Sequence, residues 1–323
     1  MSIHVVTLAD ENFILPLAVL ARSTLDHLGA NRAIHLTVID GGIRPESRTR
    51  LESSWKDPRL SVSWRPPDYG GASSLPVNGR IPPLTYARLM APSLVPADVD
   101  RLIVLDADQL VLKDLGALAD LPFEGATVLS PRDAFIPTVG SMNGLAGPAR
   151  MGLSPDTPYL AGAVMVIDVE AWRREEVSAR ALRHVETHAR HLRTYDQDAL
   201  NAALSSRWRE LDPRFQVQPR ALSLRPSLTP HLDREMRQLM AEDPWIVHFS
   251  GRLKPWMYRG RTRFDDLFRE ALSRTELRDH REPRSLRALF FRLYDGPCRR
   301  LAYPLEVRLD SVLRRIRGRT IRG

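Results

Sequence analysis

The chain has 323 residues, 43% of them hydrophobic, with unremarkable glycine and proline content and a single cysteine, Cys298. It can therefore bury a sizeable core, while an intrachain disulfide framework and a cysteine-rich zinc site are excluded. The net charge of +8 is uneven: residues 278–323 carry thirteen arginines, no lysine and five acidic residues, and residues 1–277 balance 34 basic against 34 acidic groups.

Met1-Ser2-Ile3-His4 runs directly into a β-like segment. With no basic and apolar signal region and no apolar run near the length of a membrane span, the expectation is a cytoplasmic protein. Ile3 to Ala9 is a short β-type run, followed by Asp10-Glu11-Asn12 and then by Phe13, Leu17, Leu20, Ala21 and Leu25 at helical spacing. Ile34 to Ile39 repeats the strand and ends at Asp40-Gly41-Gly42; Pro45 to Trp55 reads as helix and Leu60 to Trp64 as a third strand. Leu84 to Leu94 reads as a helix leading into the strand Arg101 to Leu105.

That strand ends in Asp106-Ala107-Asp108. Residues two apart on an extended chain face the same side, so both carboxylates can meet one cation where a buried strand gives way to its loop. A solvated turn is the alternative for an isolated Asp-x-Asp. Beyond it, Tyr159 to Ile167 is an apolar run and Val169 to Ala189 is helical. Asp196-Gln-Asp-Ala-Leu-Asn201 opens another helix with Asp196 as its cap, and Trp245 to Phe249 is a strand. Residues 65–83, 132–158 and 219–243 lack periodicity and read as covering loops. Alternating strands and helices imply an α/β fold with an open, mostly parallel sheet flanked by helices. Ligands of such sheets bind at the carboxyl ends of the strands, where Asp10 and the Asp106/Asp108 pair both fall.

Five segments, in order, resemble the motifs of glycosyltransferase family 8, retaining enzymes of the GT-A fold that include bacterial lipopolysaccharide galactosyl- and glucosyltransferases and glycogenin-like enzymes. They are Ala9-Asp10-Glu11-Asn12-Phe13, Tyr86-Ala-Arg88-Leu89, Leu105-Asp106-Ala107-Asp108, Asp196 to Asn201, and His248-Phe-Ser-Gly251-Arg-Leu-Lys254-Pro-Trp256. The resemblance implies a GT-A catalytic domain over residues 1–277. It also implies a metal-dependent hexosyltransferase that takes glucose or galactose from a UDP-sugar to a saccharide acceptor, lipid-linked acceptors such as lipopolysaccharide or another cell-surface glycan included. By position, Asp106, Asp108 and His248 become ligands of manganese or magnesium, although a lone histidine could equally be a core residue. Ala9, Asp10, Asn12, Arg88, Ala107, Gly251 and Lys254 join the metal ligands in the nucleotide-sugar site, and a helix cap is the plainer role for Asp10 and Asn12. Asp196 and Gln197 become the catalytic pair, with Gln197 stabilising an oxocarbenium-like species. Tyr86 is read as packing. Asp133 is an acceptor-side candidate, and Arg132 its neighbour in a possible ion pair. Where the family has an asparagine, this chain has Ala161, in Tyr159-Leu-Ala-Gly-Ala-Val164.

Residues 278–323 read as a basic amphipathic helical tail. Leu286, Leu289, Phe290, Leu293 and Tyr294, then Leu305, Leu309, Val312, Leu313 and Ile316, fall at helical spacing among arginines. Such stripes suit the anionic inner face of the cytoplasmic membrane, and docking on the body is the other reading. Competing functions are a sugar nucleotidyltransferase or metal-dependent phosphohydrolase, and a nucleic-acid-binding protein using the arginine tail. The first lacks a glycine-rich, lysine-bearing loop near the amino terminus, and the last leaves the ordered motifs unexplained, so no nucleic-acid partner is expected.

Overall fold

Strand residues of alternating parity feed two separate cores, one on each face of a single sheet. In β1 (Ser2–Ala9), Ile3, Val5 and Ala9 enter one core while Val6 and Leu8 enter the other. In β4 (Arg101–Leu105), Ile103 and Leu105 oppose Leu102 and Val104 in the same way. Such burial on both faces is what a near-continuous apolar strand encodes. These details come from a computed structural model that describes residues 2–72, 75–76, 82–223, 228–251, 254–257 and 262–282. Both apolar stripes of the tail and Cys298 lie outside the described residues.

The amino-terminal half alternates as expected: β1, α1 (Ile14–Asp26), β2 (Ala33–Asp40), α2 (Pro45–Ser54), β3 (Leu60–Arg65), then β4. Further along come β5 (Gln109–Val111), α3 (Gly116–Ala119), β6 (Val128–Ser130), β7 (Val164–Asp168), α4 (Val169–Arg174), α5 (Val177–His188), α6 (Asp196–Leu204) and β8 (Trp208–Glu210). The chain continues through α7 (Pro219–Ser223), α8 (Arg234–Glu242), β9 (Ile246–His248) and α9 (Arg263–Ser273). The main sheet runs β3-β2-β1-β4-β7-β6-β8. It is parallel except at β7, which is antiparallel to both neighbours. Because β1 leads outward to β2 on one side and pairs with β4 on the other, the order reverses between β1 and β4, which places a crevice at their carboxyl ends.

α1 and α9 pack on one face, contributing Leu17, Leu20, Phe264 and Phe268. α5 and α6 cover the other with Val177, Val185, Leu200 and Leu204. Residues 132–158 carry a small core of their own around Ile136, Val139, Leu145, Leu153 and Tyr159.

Several elements differ from the sequence reading, each for a local reason. Residues Pro83–Ser93 form a 3-10 rather than an α-helix, with Pro92 inside it unable to donate to the preceding turn. The helix expected over 169–189 breaks into α4 and α5 at Glu176, whose φ of 51° leaves the helical region. The run Tyr159 to Ile167 is strand only from Val164, because Gly162 turns the chain at a φ of 74°. Residues 219–243, expected to be a loop, contain α7 and α8, the latter capped by Asp233 onto the Met236 amide.

Two histidines make folding pH-dependent. Burial, reinforced by His188, pushes His184 down to about 4, and burial with Arg132 does the same to His231. Both therefore fold as neutral rings. Their contribution to stability is complete above the ordinary histidine value and is lost as pH falls from about 6.5 towards 4. We expect Tm to fall between pH 7 and pH 5, and the difference between wild type and His184→Gln to narrow by roughly 1 kcal/mol over that interval after allowing for solvent screening. A constant difference across the range would contradict this.

Candidate active site and metal centre

The Asp-x-Asp falls in the gap between β4 and β5. β5 leaves the main sheet and pairs antiparallel with β9, register Gln109 against His248. The Phe249 amide donates to the Asp108 carbonyl at 3.0 Å, so this short ribbon sets the histidine directly against the carboxylates. One carboxylate oxygen each from Asp106 and Asp108 and one ring nitrogen of His248 form a group whose ligand atoms all lie within 4.8 Å of one another.

Each carboxylate divides its two oxygens. Asp106 Oδ1 accepts from Arg88 Nη2 at 2.6 Å, and its Oδ2 lies 3.6 Å from His248 Nε2. Asp108 Oδ2 accepts from Lys254 Nζ, and its Oδ1 lies 3.2 Å from His248 Nε2. The protein thus supplies a cation to one oxygen of each acid and leaves Asp106 Oδ2, Asp108 Oδ1 and His248 Nε2 converging on one point. A divalent cation with ligand bonds of about 2.1 Å needs neighbouring donors roughly 3–3.5 Å apart, so the group fits with a small contraction. Two oxygens and an imidazole suit a hard divalent ion. Burial alone would raise the Asp108 carboxyl, but the Lys254 ammonium and His248 hold it well below the usual carboxylate range.

Arg88 ties this centre to a second pair of polar groups. Its guanidinium is buried, with Nη1 donating to the Gly162 carbonyl at 2.9 Å and Nε 2.9 Å from Asp196 Oδ2. Burial lowers the pKa of such a group, yet Asp106 and Asp196 more than offset it and the net direction is upward. Asp196 itself moves up, since burial outweighs the Arg88 charge. Asp196 does not cap its helix: it is the first residue of α6, behind Tyr195, which has a φ of 60° and makes no side-chain cap. Its carboxylate is committed to Arg88 instead.

Gln197 Nε2 donates to Asp133 Oδ2 at 2.9 Å and to the Leu160 carbonyl at 3.0 Å. This leaves the amide oxygen as the group offered to the cleft. Asp133 Oδ1 accepts the Phe135 and Ile136 amides, and burial nevertheless raises its pKa. Asp133, a weak candidate by sequence, therefore stands beside the catalytic candidates. Arg132 turns away from it and pairs with Glu210. Asn201 clamps Leu160 from both sides, accepting from its amide and donating to its carbonyl.

Arg88, Asp106, Asp108, Asp133, Asp196, Gln197 and His248 line one cleft of about 500 Å3 together with Ala9, Asp10, Phe13, Ala107, Ala161, Arg193, Gln216, Gln218, Arg220 and Gly251. Asp10 caps a 3-10 turn by accepting the Asn12 amide, and Asn12 Nδ2 reaches its other oxygen at 3.3 Å. Gly251 has a φ of 85°, which a side chain would strain. Lys254 also donates to the Phe249 carbonyl. Tyr86 is fully buried and donates to the Pro76 carbonyl, consistent with packing. Sequence reasoning did not single out Gln216, Gln218 or Arg193. None lies in a recognised motif, and only the pairing of residue 217 with β9 brings the two glutamines to the cleft.

The profile described as Glycosyl transferase family 8 matches residues 4–260. General stress protein A of Bacillus subtilis is 31% identical over 256 residues, 78% of this chain and 87% of the relative. Lipopolysaccharide 1,3-galactosyltransferase of Salmonella typhimurium is 26% identical over 269 residues, 82% of this chain and 76% of the relative. Among solved structures, the galactosyltransferase LgtC in complex with donor and acceptor sugar analogues superposes with a TM-score of 0.68 at 23% identity. That match covers 88% of this chain and 99% of the other.

The converging donors generate a measurable expectation. A divalent ion at about a hundred times its Kd stabilises the native state by about 2.7 kcal/mol, a Tm rise of roughly 5–10 °C for a domain of this size. Manganese should produce this rise in wild type, and Asp108→Asn or His248→Ala should abolish it. A rise surviving in both variants would place the ion elsewhere.

Proposed function

Because the chain belongs to glycosyl transferase family 8 and is a glycosyltransferase, we propose that it moves glucose or galactose from a UDP-sugar to a saccharide acceptor with retention of the donor's α configuration. The acceptor is a cell-surface glycan such as lipopolysaccharide, free or lipid-linked. The observation that carries this reading is the divided use of the two carboxylates, which leaves a three-donor cation site joined through Arg88 to Asp196 and Gln197.

Asp106, Asp108 and His248 would hold manganese or magnesium, which supplies positive charge to the diphosphate as UDP departs. Lys254 adds a point charge beside them, and Gly251 allows backbone to approach the phosphates. Asp10 and Asn12, at the end of β1, present an acceptor and an amide to the uracil or ribose, a role compatible with their cap. Ala9 and Ala107 leave room for close approach there. Arg88 fixes the geometry between the phosphate end and the sugar end.

At the sugar, Gln197 is oriented by Asp133 and Leu160 so that its carbonyl dipole faces the cleft. An amide is a poor nucleophile, and its role is to stabilise positive charge developing at the anomeric carbon during a front-face transfer. Asp196 adds negative potential from behind. Ala161 presents a methyl group where the family has an amide, so one hydrogen bond to sugar is absent from this wall.

Release of UDP from a panel of nucleotide sugars with manganese tests the donor assignment; free phosphate or pyrophosphate exchange instead would overturn it. Gln197→Ala and Asp196→Asn should lower kcat by about 10²–10³-fold while donor KM changes little, since their interactions strengthen as charge develops. An NMR assignment of a β linkage in the product would contradict the retaining reading.

Residues 1–277 are proposed as the catalytic domain and 278–323 as a tail that lies on the anionic inner leaflet, at about 1 kcal/mol per arginine near the surface. Support is the charge arithmetic alone. His280 Nε2 lies 2.8 Å from the Trp256 carbonyl, so truncation is best placed after Glu282. Full-length protein should sediment with anionic vesicles, only partly released by salt, and the truncated protein should not, while still binding UDP. Unfolding of the truncated protein would identify the stripes as core.

A further inference from the structure

Gln216 ends the 3-10 turn Pro213–Gln216, and the next residue, Val217, is extended and hydrogen-bonded to β9: the Val217 amide donates to the Ile246 carbonyl and the His248 amide to the Val217 carbonyl, each at 2.8 Å. Gln216 and Gln218 flank this bridge, and both line the cleft. They are 5% and 4% exposed, and neither side-chain oxygen meets a hydrogen-bond partner among the described residues. Buried amides are normally satisfied, so two orphaned carbonyl oxygens side by side in a binding cleft call for an explanation.

We propose that Gln216 and Gln218 read hydroxyl groups of an uncharged acceptor sugar, an inference that rests on the glycosyltransferase reading above. Their position separates them from the donor groups. Arg88, Asp196 and Gln197 stand on elements packed against one face of the sheet, the 3-10 segment and α6. Phe215, Val217 and Phe249 belong to the core of the opposite face. The glutamines thus lie on the side of the cleft opposite the elements that carry Arg88, Asp196 and Gln197, and Phe135, over which Arg220 lies at 5.2 Å from the ring centre, lines the same cleft. Residues two apart in sequence lie within about 7 Å of each other, close enough for two amides to reach hydroxyls of one pyranose ring. An amide oxygen needs a donor, which a hydroxyl supplies and a carboxylate does not, so the fitting ligand is a neutral saccharide. These amides restore, on the acceptor wall, hydrogen-bonding capacity that Ala161 lacks on the other.

Gln216→Met and Gln218→Met keep length and lose the carbonyl, with Gln216→Leu and Gln218→Leu as a second pair. The probes are UDP-glucose and UDP-galactose hydrolysed without acceptor, and the methyl α- and β-glycosides of glucose and galactose as acceptors, transfer being read by mass spectrometry. Expected are donor hydrolysis within twofold of wild type, KM for the best methyl glycoside raised at least tenfold, kcat little changed, and an unchanged or higher Tm. An unaltered acceptor KM, an equal rise in donor KM, unfolding of both substitution pairs, or transfer by wild type to none of the four glycosides would each overturn the proposal. Failure of wild type to hydrolyse either UDP-sugar would instead sink the donor reading, and this inference with it.

Discussion

A single buried guanidinium organises the candidate active-site cleft. Arg88 lies between Asp106 and Asp196 and holds the Gly162 carbonyl, so the ends of β4 and α6 and the turn before β7 all meet at one cation. Two carboxylates brought this close would repel, and burial raises the Asp196 carboxyl. The arginine lies between them, and its rigid fork fixes their relative orientation in a way that a lysine would not. Removing it would leave two buried, uncompensated acids, a cost of about 3–5 kcal/mol for a broken buried ion pair.

Lys254 performs the corresponding service for Asp108. The two cations arrive from distant parts of the sequence, one before β4 and one after β9. They sit on the outer oxygens, and the inner oxygens face His248.

Much of this was legible in the chain. Strand–helix alternation identified the parallel half of the sheet, because apolar β runs and 3.6-residue stripes are local signals. The five motifs located Asp10, Arg88, Asp106, Asp108, Asp196, Gln197 and His248, all of which line the cleft. Less legible was anything decided by tertiary partners. Asp196 looked like a helix cap because acidic residues favour that position, but the Arg88 charge holds it more strongly than free amides would. Arg132 stood beside Asp133 in sequence, yet Asp133 is saturated by two backbone amides and Gln197. The break at Glu176 has no glycine or proline to announce it. Gln216 and Gln218 carried no signal, since glutamine beside a valine is unremarkable until the segment is seen paired with β9.

The β5–β9 ribbon has a consequence for how such a chain can change length. Side chains on a strand alternate, so a shift of one residue would rotate His248 away from the carboxylates and present Val247 or Phe249 in its place. The register is fastened at both ends, by Leu112 to Trp245 and by Phe249 to Asp108. Between Pro219 and Asp243 the chain makes a long excursion that returns to the same anchor. Insertions there are absorbed at small entropic cost, growing only with the logarithm of loop length. A single-residue deletion in Gln109–Val111 or Ile246–His248 would instead disperse the three candidate metal ligands while leaving the main sheet intact. Variation in family members of this design should therefore accumulate in the excursion and be silent in the ribbon.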